Sequence, residues 1–347
     1  MLLAGCATTT TRPPEIDPAL VRAEEEKQRQ AVLETSREQQ ERLDRLAYPL
    51  LRAAGPLCGD HRMPWPGFRS LTLDDVDREW REAARSAWGL GDSLRIWSVV
   101  PGGPAERAGL RPGDRLVRVD GRPVATDASG SRGLLGYLRA RLPMLDSLAV
   151  EVVRRGRPFR VDVALDTVCA YETVVVPSMA VNAGANGSTV YVTTGMMRFA
   201  EDDELSSIIA HEIAHNAQRH LRARGLNAGL GMLFGLIGDL ATVASGDTLP
   251  HESYTSYFGG VGARAHSREF EREADYVGLY ILALAGRPLE GAPRIFREFA
   301  AAQPESIGYS STHPTHAERF LLMEAAIQEI EAKRRAGAPL RPEQKQE

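Results

Sequence analysis

The feature that most constrains this chain is His211-Glu212-Ile213-Ala214-His215. Just upstream, Glu201-Asp202-Asp203-Glu204 puts acids where a helix N-terminus favours them. Leu205, Ile208, Ile209 and Ile213 then recur at helical spacing. On such a helix His211 and His215 stand one turn apart on one face, so both imidazoles can reach one Zn2+ at about 2.0–2.1 Å. Glu212 lies one step round, suited to act as a general base and not as a ligand. Two solvated surface histidines are the bland alternative. A catalytic zinc also needs a third protein ligand and an open position, so another element must pack against this helix.

A second segment can supply that ligand. Ser267-Arg268-Glu269-Phe270-Glu271-Arg272-Glu273-Ala274-Asp275 reads as a helix, with Glu271 and Asp275 four residues apart on one face. One of the two can bind metal while the other orients a ligating histidine. Taken alone, the segment would read as a salt-bridged solvent face.

The texture differs earlier in the sequence. Leu94–Val100 is a strand pattern, followed by Pro101-Gly102-Gly103-Pro104, a short helix ending in Gly109, the turn Pro112-Gly113-Asp114, a β-rich run and the hairpin signal Asp120-Gly121. Leu134–Leu142 reads as a longer helix, and Leu148–Val153 and Phe159–Leu165 as closing strands. The run resembles a bacterial PDZ domain. That resemblance implies capture of a polypeptide C-terminus or strand by β-addition. Gly89-Leu90-Gly91 offers backbone N–H groups for a terminal carboxylate.

His-Glu-x-x-His followed by Ser-Arg-x-x-Glu-x-Glu-Ala-Asp is similar to the zinc endopeptidases related to HtpX and the CAAX prenyl protease. Within that family it most resembles the periplasmic BepA/LoiP-like and mitochondrial inner-membrane branches, over about residues 165–330. The resemblance implies that His211, His215 and Glu271 hold one Zn2+ per molecule, with Glu212 as catalytic base and Asp275 behind a ligand. Glu273 occupies a variable place and receives no role. Val181-Asn182-Ala183-Gly184 and Val190–Gly195 resemble the family's hairpin, whose edge strand at Asn182 and Ala183 would hold substrate extended. Ser311-Thr312-His313-Pro314 with Arg319 resembles a late His-Pro segment. His313 is then an inhibitory fourth ligand, an oxyanion stabiliser or a loop cap. His220, His251, His266 and His316 have no assigned task.

The implied fold class is α+β: a mainly helical, zincin-type metalloprotease domain with a small β-hairpin or sheet, preceded by a barrel-like PDZ domain and an N-terminal helix. The expected organisation is a tether at 1–14, a mostly solvated helical stalk and N-terminal segment at 15–88, the PDZ domain at 89–166, the protease domain at 167–336 and a polar tail at 337–347. Residues 225–246 are apolar and glycine-rich, and Asp239 within them favours a buried or surface-dipping hairpin over a membrane span.

Leu3-Ala4-Gly5-Cys6 resembles a lipobox, which makes Cys6 the expected lipid-anchor site. Ala7 after it favours the outer membrane, on the periplasmic side. Cys58 and Cys169 then remain as an even pair, bridged in an oxidising compartment or left as two buried thiols. A net charge of −4 argues against a nucleic-acid partner. The expected activity is hydrolysis of misfolded or misassembled envelope polypeptides. The rival reading is a PDZ adaptor or holdase with a latched or structural zinc.

Overall fold

The structure, a computed structural model, describes Thr11 and residues 13–124, 129–141, 144–220, 268–302 and 317–344. Cys6, the apolar run 225–246 and His313 lie outside the described residues.

Helix α1 (Pro18–Ala53) starts where the Asp17 carboxylate accepts the Ala19 N–H at 2.8 Å and Pro18 presets the first turn. Its early residues are exposed and bear charge pairs such as Lys27 with Glu24 and Arg29 with Glu25. The later part is different. Leu43, Leu46 and Leu50 form a helical apolar stripe that is 0 % exposed and joins Leu205, Ile209 and Ile213 in one core. The expectation of a solvated stalk is therefore corrected for the second half of α1, which is a wall of the helical half of the molecule.

Strands β1 (Arg62–Trp65) and β2 (Phe68–Leu71), helix α2 (Arg81–Trp88), strand β3 (Arg95–Val99), helix α3 (Pro104–Arg107), strands β4 (Arg115–Val119) and β5 (Arg122–Pro123), helix α4 (Ser129–Arg141) and strands β6 (Ser147–Arg154) and β7 (Arg157–Ala164) follow. The main sheet runs β2-β3-β4-β6-β7 with antiparallel neighbours, and β5 pairs with β4. Asp120 and Gly121, both at positive φ, turn the β4–β5 hairpin, as that dipeptide predicts. Phe68, Ile96, Leu116, Leu148, Val150 and Val163 fill the core of this module.

The start of the module and its expected carboxylate loop both differ from the sequence reading. The module's edge strand is β2, upstream of the expected start at residue 89. Gly89-Leu90-Gly91 ends α2, where Leu90 packs with Leu33 and Leu73, so it does not border a peptide groove. A groove of about 710 Å³ instead runs beside β2 and Leu134 of α4, and its far wall is α1 and residues 168–174.

Strands β8 (Asp166–Cys169), β9 (Glu172–Val176), β10 (Ala183–Ala185) and β11 (Thr189–Thr193) lead into helices α5 (Thr194–Phe199) and α6 (Asp202–Ala217). Helices α7 (Arg268–Leu284), α8 (Gly291–Ala302) and α9 (Ala317–Ala336) complete the described elements. The small sheet is ordered β10-β11-β9, which leaves β10 on an edge. No described helix is long and apolar enough to cross a membrane.

Two ties fasten the N-terminal segment to the rest of the protein. Cys58 and Cys169 form a disulfide beside the β1–β8 pairing, closing 111 residues. In the chain-entropy account such a closure stabilises by about 4–5 kcal/mol. In addition, Arg69 of β2 donates to Asp44 of α1 at 2.7 and 2.8 Å and to the Thr173 carbonyl of β9 at 2.7 Å. Asp44 is 4 % exposed and also accepts from Gln40 and Thr173, so the buried carboxylate is fully partnered.

Candidate metal centre

Helix α6 is held in register before it presents any chemistry. Glu201 and Glu204 form a reciprocal capping box. Arg42 and Arg45 of α1 bind Asp202, and Arg294 of α8 binds Glu204. One residue before its end, Asn216 accepts from Gly187 N–H at 2.6 Å, which pins the β10–β11 hairpin to the helix.

Helix α7 crosses α6 at Gly278. A Cβ there would stand 3.1–3.2 Å from the His211 backbone, so only a hydrogen allows this approach without displacement. The contact brings Glu271 and Asp275 to the histidines. His211 Nε2 and His215 Nε2 are 3.0 Å apart, and Glu271 reaches them at 3.5 and 3.4 Å. Among the described residues, these three form the only His/Cys/Asp/Glu group gathered closely enough to share a metal, and all three are buried.

These donors fit zinc. A tetrahedral ion with bonds of about 2.0–2.1 Å has ligand–ligand edges of about 3.3–3.4 Å. The two Nε2 atoms stand 3.0 Å apart, and Glu271 places Oε2 at 3.5 Å from His211 and Oε1 at 3.4 Å from His215, separations close to such an edge. Two imidazoles and a carboxylate are also the donor set of a hydrolytic zinc site.

The surrounding charge is tightly partnered. His211 Nδ1 lies 2.9 Å from Asp275, and Arg319 grips the same carboxylate at 2.6 and 2.7 Å. Arg319 also approaches Glu271 at 3.1 Å. Burial opposes charge on His211, but Asp275 and Glu271 outweigh it and raise the imidazole to about 10. Burial likewise opposes charge on Asp275, and Arg319 with His211 still holds it below the usual carboxylate range. Glu212 is 2 % exposed, and burial together with its charge pushes the Tyr191 phenol up.

A cavity of about 260 Å³ opens onto His211 and Glu212. Asn182 and Ala183 border it on the edge-strand side, and Ile295, Phe296 and Phe299 form apolar lining. The structure thus brings His211, Glu212, His215, Glu271, Asp275, Arg319, Asn182 and Ala183 to one place. His220, given no role from sequence, is here too: its Nδ1 is 2.9 Å from His215 Nδ1 and its Nε2 is 3.1 Å from Glu273. Burial holds its imidazole below the usual range. Periodicity could not find it, because it lies past the helix end.

A two-histidine, one-carboxylate centre with a glutamate between the histidines defines a metallopeptidase-type site. Residues 159–327 match the model described as Peptidase family M48, and residues 95–135 match a PDZ domain. Residues 159–327 thus form a peptidase family M48 domain, a family whose metalloproteases are zinc-dependent, with a PDZ domain upstream. The protein is 31 % identical over 161 residues to the Arabidopsis thaliana mitochondrial metalloendopeptidase OMA1, covering 45 % of this protein and 32 % of that one. It is 29 % identical over 132 residues to a protease HtpX homolog of Trichormus variabilis, covering 37 % and 42 %. A solved HtrA3 PDZ domain bound to a phage-derived ligand aligns at 23 % identity and a TM-score of 0.23, covering 31 % of this protein and 89 % of that domain. The matched region spans less than half the length of the OMA1 and HtpX relatives.

Proposed function

We propose that this protein is a zinc endopeptidase of the periplasmic side of a bacterial envelope, lipid-anchored at Cys6, that hydrolyses misfolded or misassembled polypeptides. The observation that carries the activity is the convergence of His211, His215 and Glu271 beside Glu212, in a cleft bordered by an edge strand. The compartment is supported by the Leu3-Ala4-Gly5-Cys6 run and by a Cys58–Cys169 bridge suited to an oxidising environment.

Zinc held by His211, His215 and Glu271 would polarise the scissile carbonyl and acidify water. Glu212 takes the proton of the attacking water and returns it to the leaving amine. Strand β10 pairs with the substrate backbone at Asn182 and Ala183, which fixes the bond to be cut against the centre. The apolar lining at Ile295, Phe296 and Phe299 accepts a hydrophobic side chain, the kind an unfolded polypeptide exposes. The groove beside β2 docks a polypeptide end or strand and raises the local substrate concentration.

The test uses the full-length protein, zinc-loaded, with an unfolded polypeptide. Cleavage should vanish on chelation and return with zinc. Glu212→Gln should keep the metal by elemental analysis and lose about 10²–10⁴-fold in turnover. Undiminished cleavage by that variant would refute the assignment.

A further inference from the structure

We propose that His220 is a positioning residue of the metal centre. It fixes the tautomer and tilt of His215 through a His215–His220–Glu273 relay running from the ligand to the surface. This rests on the zinc reading above and assigns a task to residues outside the ligand set.

The relay begins with how α6 stops. The His220 N–H bonds the His215 carbonyl at 3.1 Å, and the Arg219 N–H bonds the Asn216 carbonyl at 3.1 Å. These two bonds make a terminator usually built on glycine, because the residue before the last must be left-handed. Here that residue is Arg219, at φ 56°. A side chain in that conformation is unfavourable, so the local sequence alone does not call for the turn. What the turn does is carry His220 back over the helix end and lay it against His215.

The imidazoles meet Nδ1 to Nδ1 at 2.9 Å, with ring planes 80° apart. His220 is 2 % exposed, stacks on Phe270 at 4.6 Å and presents its other nitrogen to Glu273 at 3.1 Å. Glu273 is half-exposed.

Hydrogen bookkeeping gives this relay one direction. His215 turns Nε2 toward Glu271 and His211, so Nε2 is the ligating atom. A neutral imidazole that ligates through Nε2 keeps its hydrogen on Nδ1. That hydrogen points at His220 Nδ1, which must then be bare and accept it. The His220 hydrogen therefore sits on Nε2 and donates to the Glu273 carboxylate. His211 is supported differently, with Nδ1 against Asp275, itself gripped by Arg319. Each ligating imidazole thus has its own outer partner, and His220 is the one for His215.

The test measures zinc affinity in the full-length protein by competition with a chromophoric chelator, so the readout is independent of proteolysis. His220→Leu should weaken zinc binding by about 10–100-fold, the usual effect of removing an outer partner. His220→Asn should recover most of the loss, because its side-chain oxygen can accept from His215 Nδ1–H. Glu273→Ala, at a half-exposed site that folding tolerates, should also weaken binding, and it carries the test if His220→Leu does not fold. In zinc-loaded protein with ¹⁵N-labelled histidine, His215 should be protonated at Nδ1 and His220 at Nε2. A parental protein that binds no zinc would remove the metal reading itself. A parental protein that binds zinc, with His220→Leu or Glu273→Ala binding it equally tightly, would overturn the relay alone. A His220 protonated at Nδ1 would do the same.

Discussion

The PDZ half and the metal half bury different things. The core of the first is aliphatic and aromatic, and among the described residues its one deeply buried charge, Asp114, is clamped by Arg154 at 2.6 Å. The second buries His211, Glu212, His215, His220, Glu271, Asp275 and Arg319 within one site. Three buried carboxyl groups there face one buried guanidinium among the described residues, so the site lacks positive charge. A divalent ion fills that deficit, and without one a proton on His211 fills part of it. The sheet module is a fold that needs no ligand; the helical module is a fold completed by one.

Substitutions can break this comparison. Arg319→Ala should have the largest effect: it strands Asp275 in the interior and should cost about 3–5 kcal/mol in chemical denaturation. It should also lower zinc affinity. Leu148→Ala, fully buried in the sheet module, should cost about 2–5 kcal/mol and leave zinc affinity at the parental value. If it lowered both, the halves would not be energetically distinct. Gly278→Ala should cost about 1–3 kcal/mol, since the added methyl meets the His211 backbone and spreads α6 from α7. Zinc affinity should fall with it.

The smallest effect is in pH. His211 is raised to about 10 in the metal-free protein, above its ordinary value near 6.5. The stability it contributes is therefore complete below about pH 6.5 and is lost as pH rises through about 10. The denaturation midpoint of metal-free protein should fall from pH 7 to pH 10, and that of zinc-loaded protein should not show this fall. At pH 7, zinc uptake should release about one proton from this site, readable by calorimetry in buffers of different ionisation enthalpy.

Much of the site was legible in sequence because helical spacing is a local code. His211, Glu212 and His215 share one helix, Glu271 and Asp275 another, and each set stands in phase. The long-range pairing of those helices was not legible from spacing, since it depends on Gly278 and on α1. The β2 strand was missed because four residues are too short to show alternation. The interior half of α1 was missed because its charged flank masks the Leu43, Leu46 and Leu50 stripe. His220 was missed because a left-handed arginine is not a recognisable turn signal.

Helix α1 has a consequence for anyone who trims the protein. It supplies Leu33 to the small cluster with α2, Leu43 through Leu51 to the helical core and Asp44 to the junction with β2. A fragment starting at residue 89 or 167 would leave the inner surface of the catalytic half unclothed, with greasy side chains facing water and Arg294 with less help at the mouth of α6. Such a fragment should aggregate where the longer polypeptide stays monodisperse, although the removed segment contributes no atom to the chemistry.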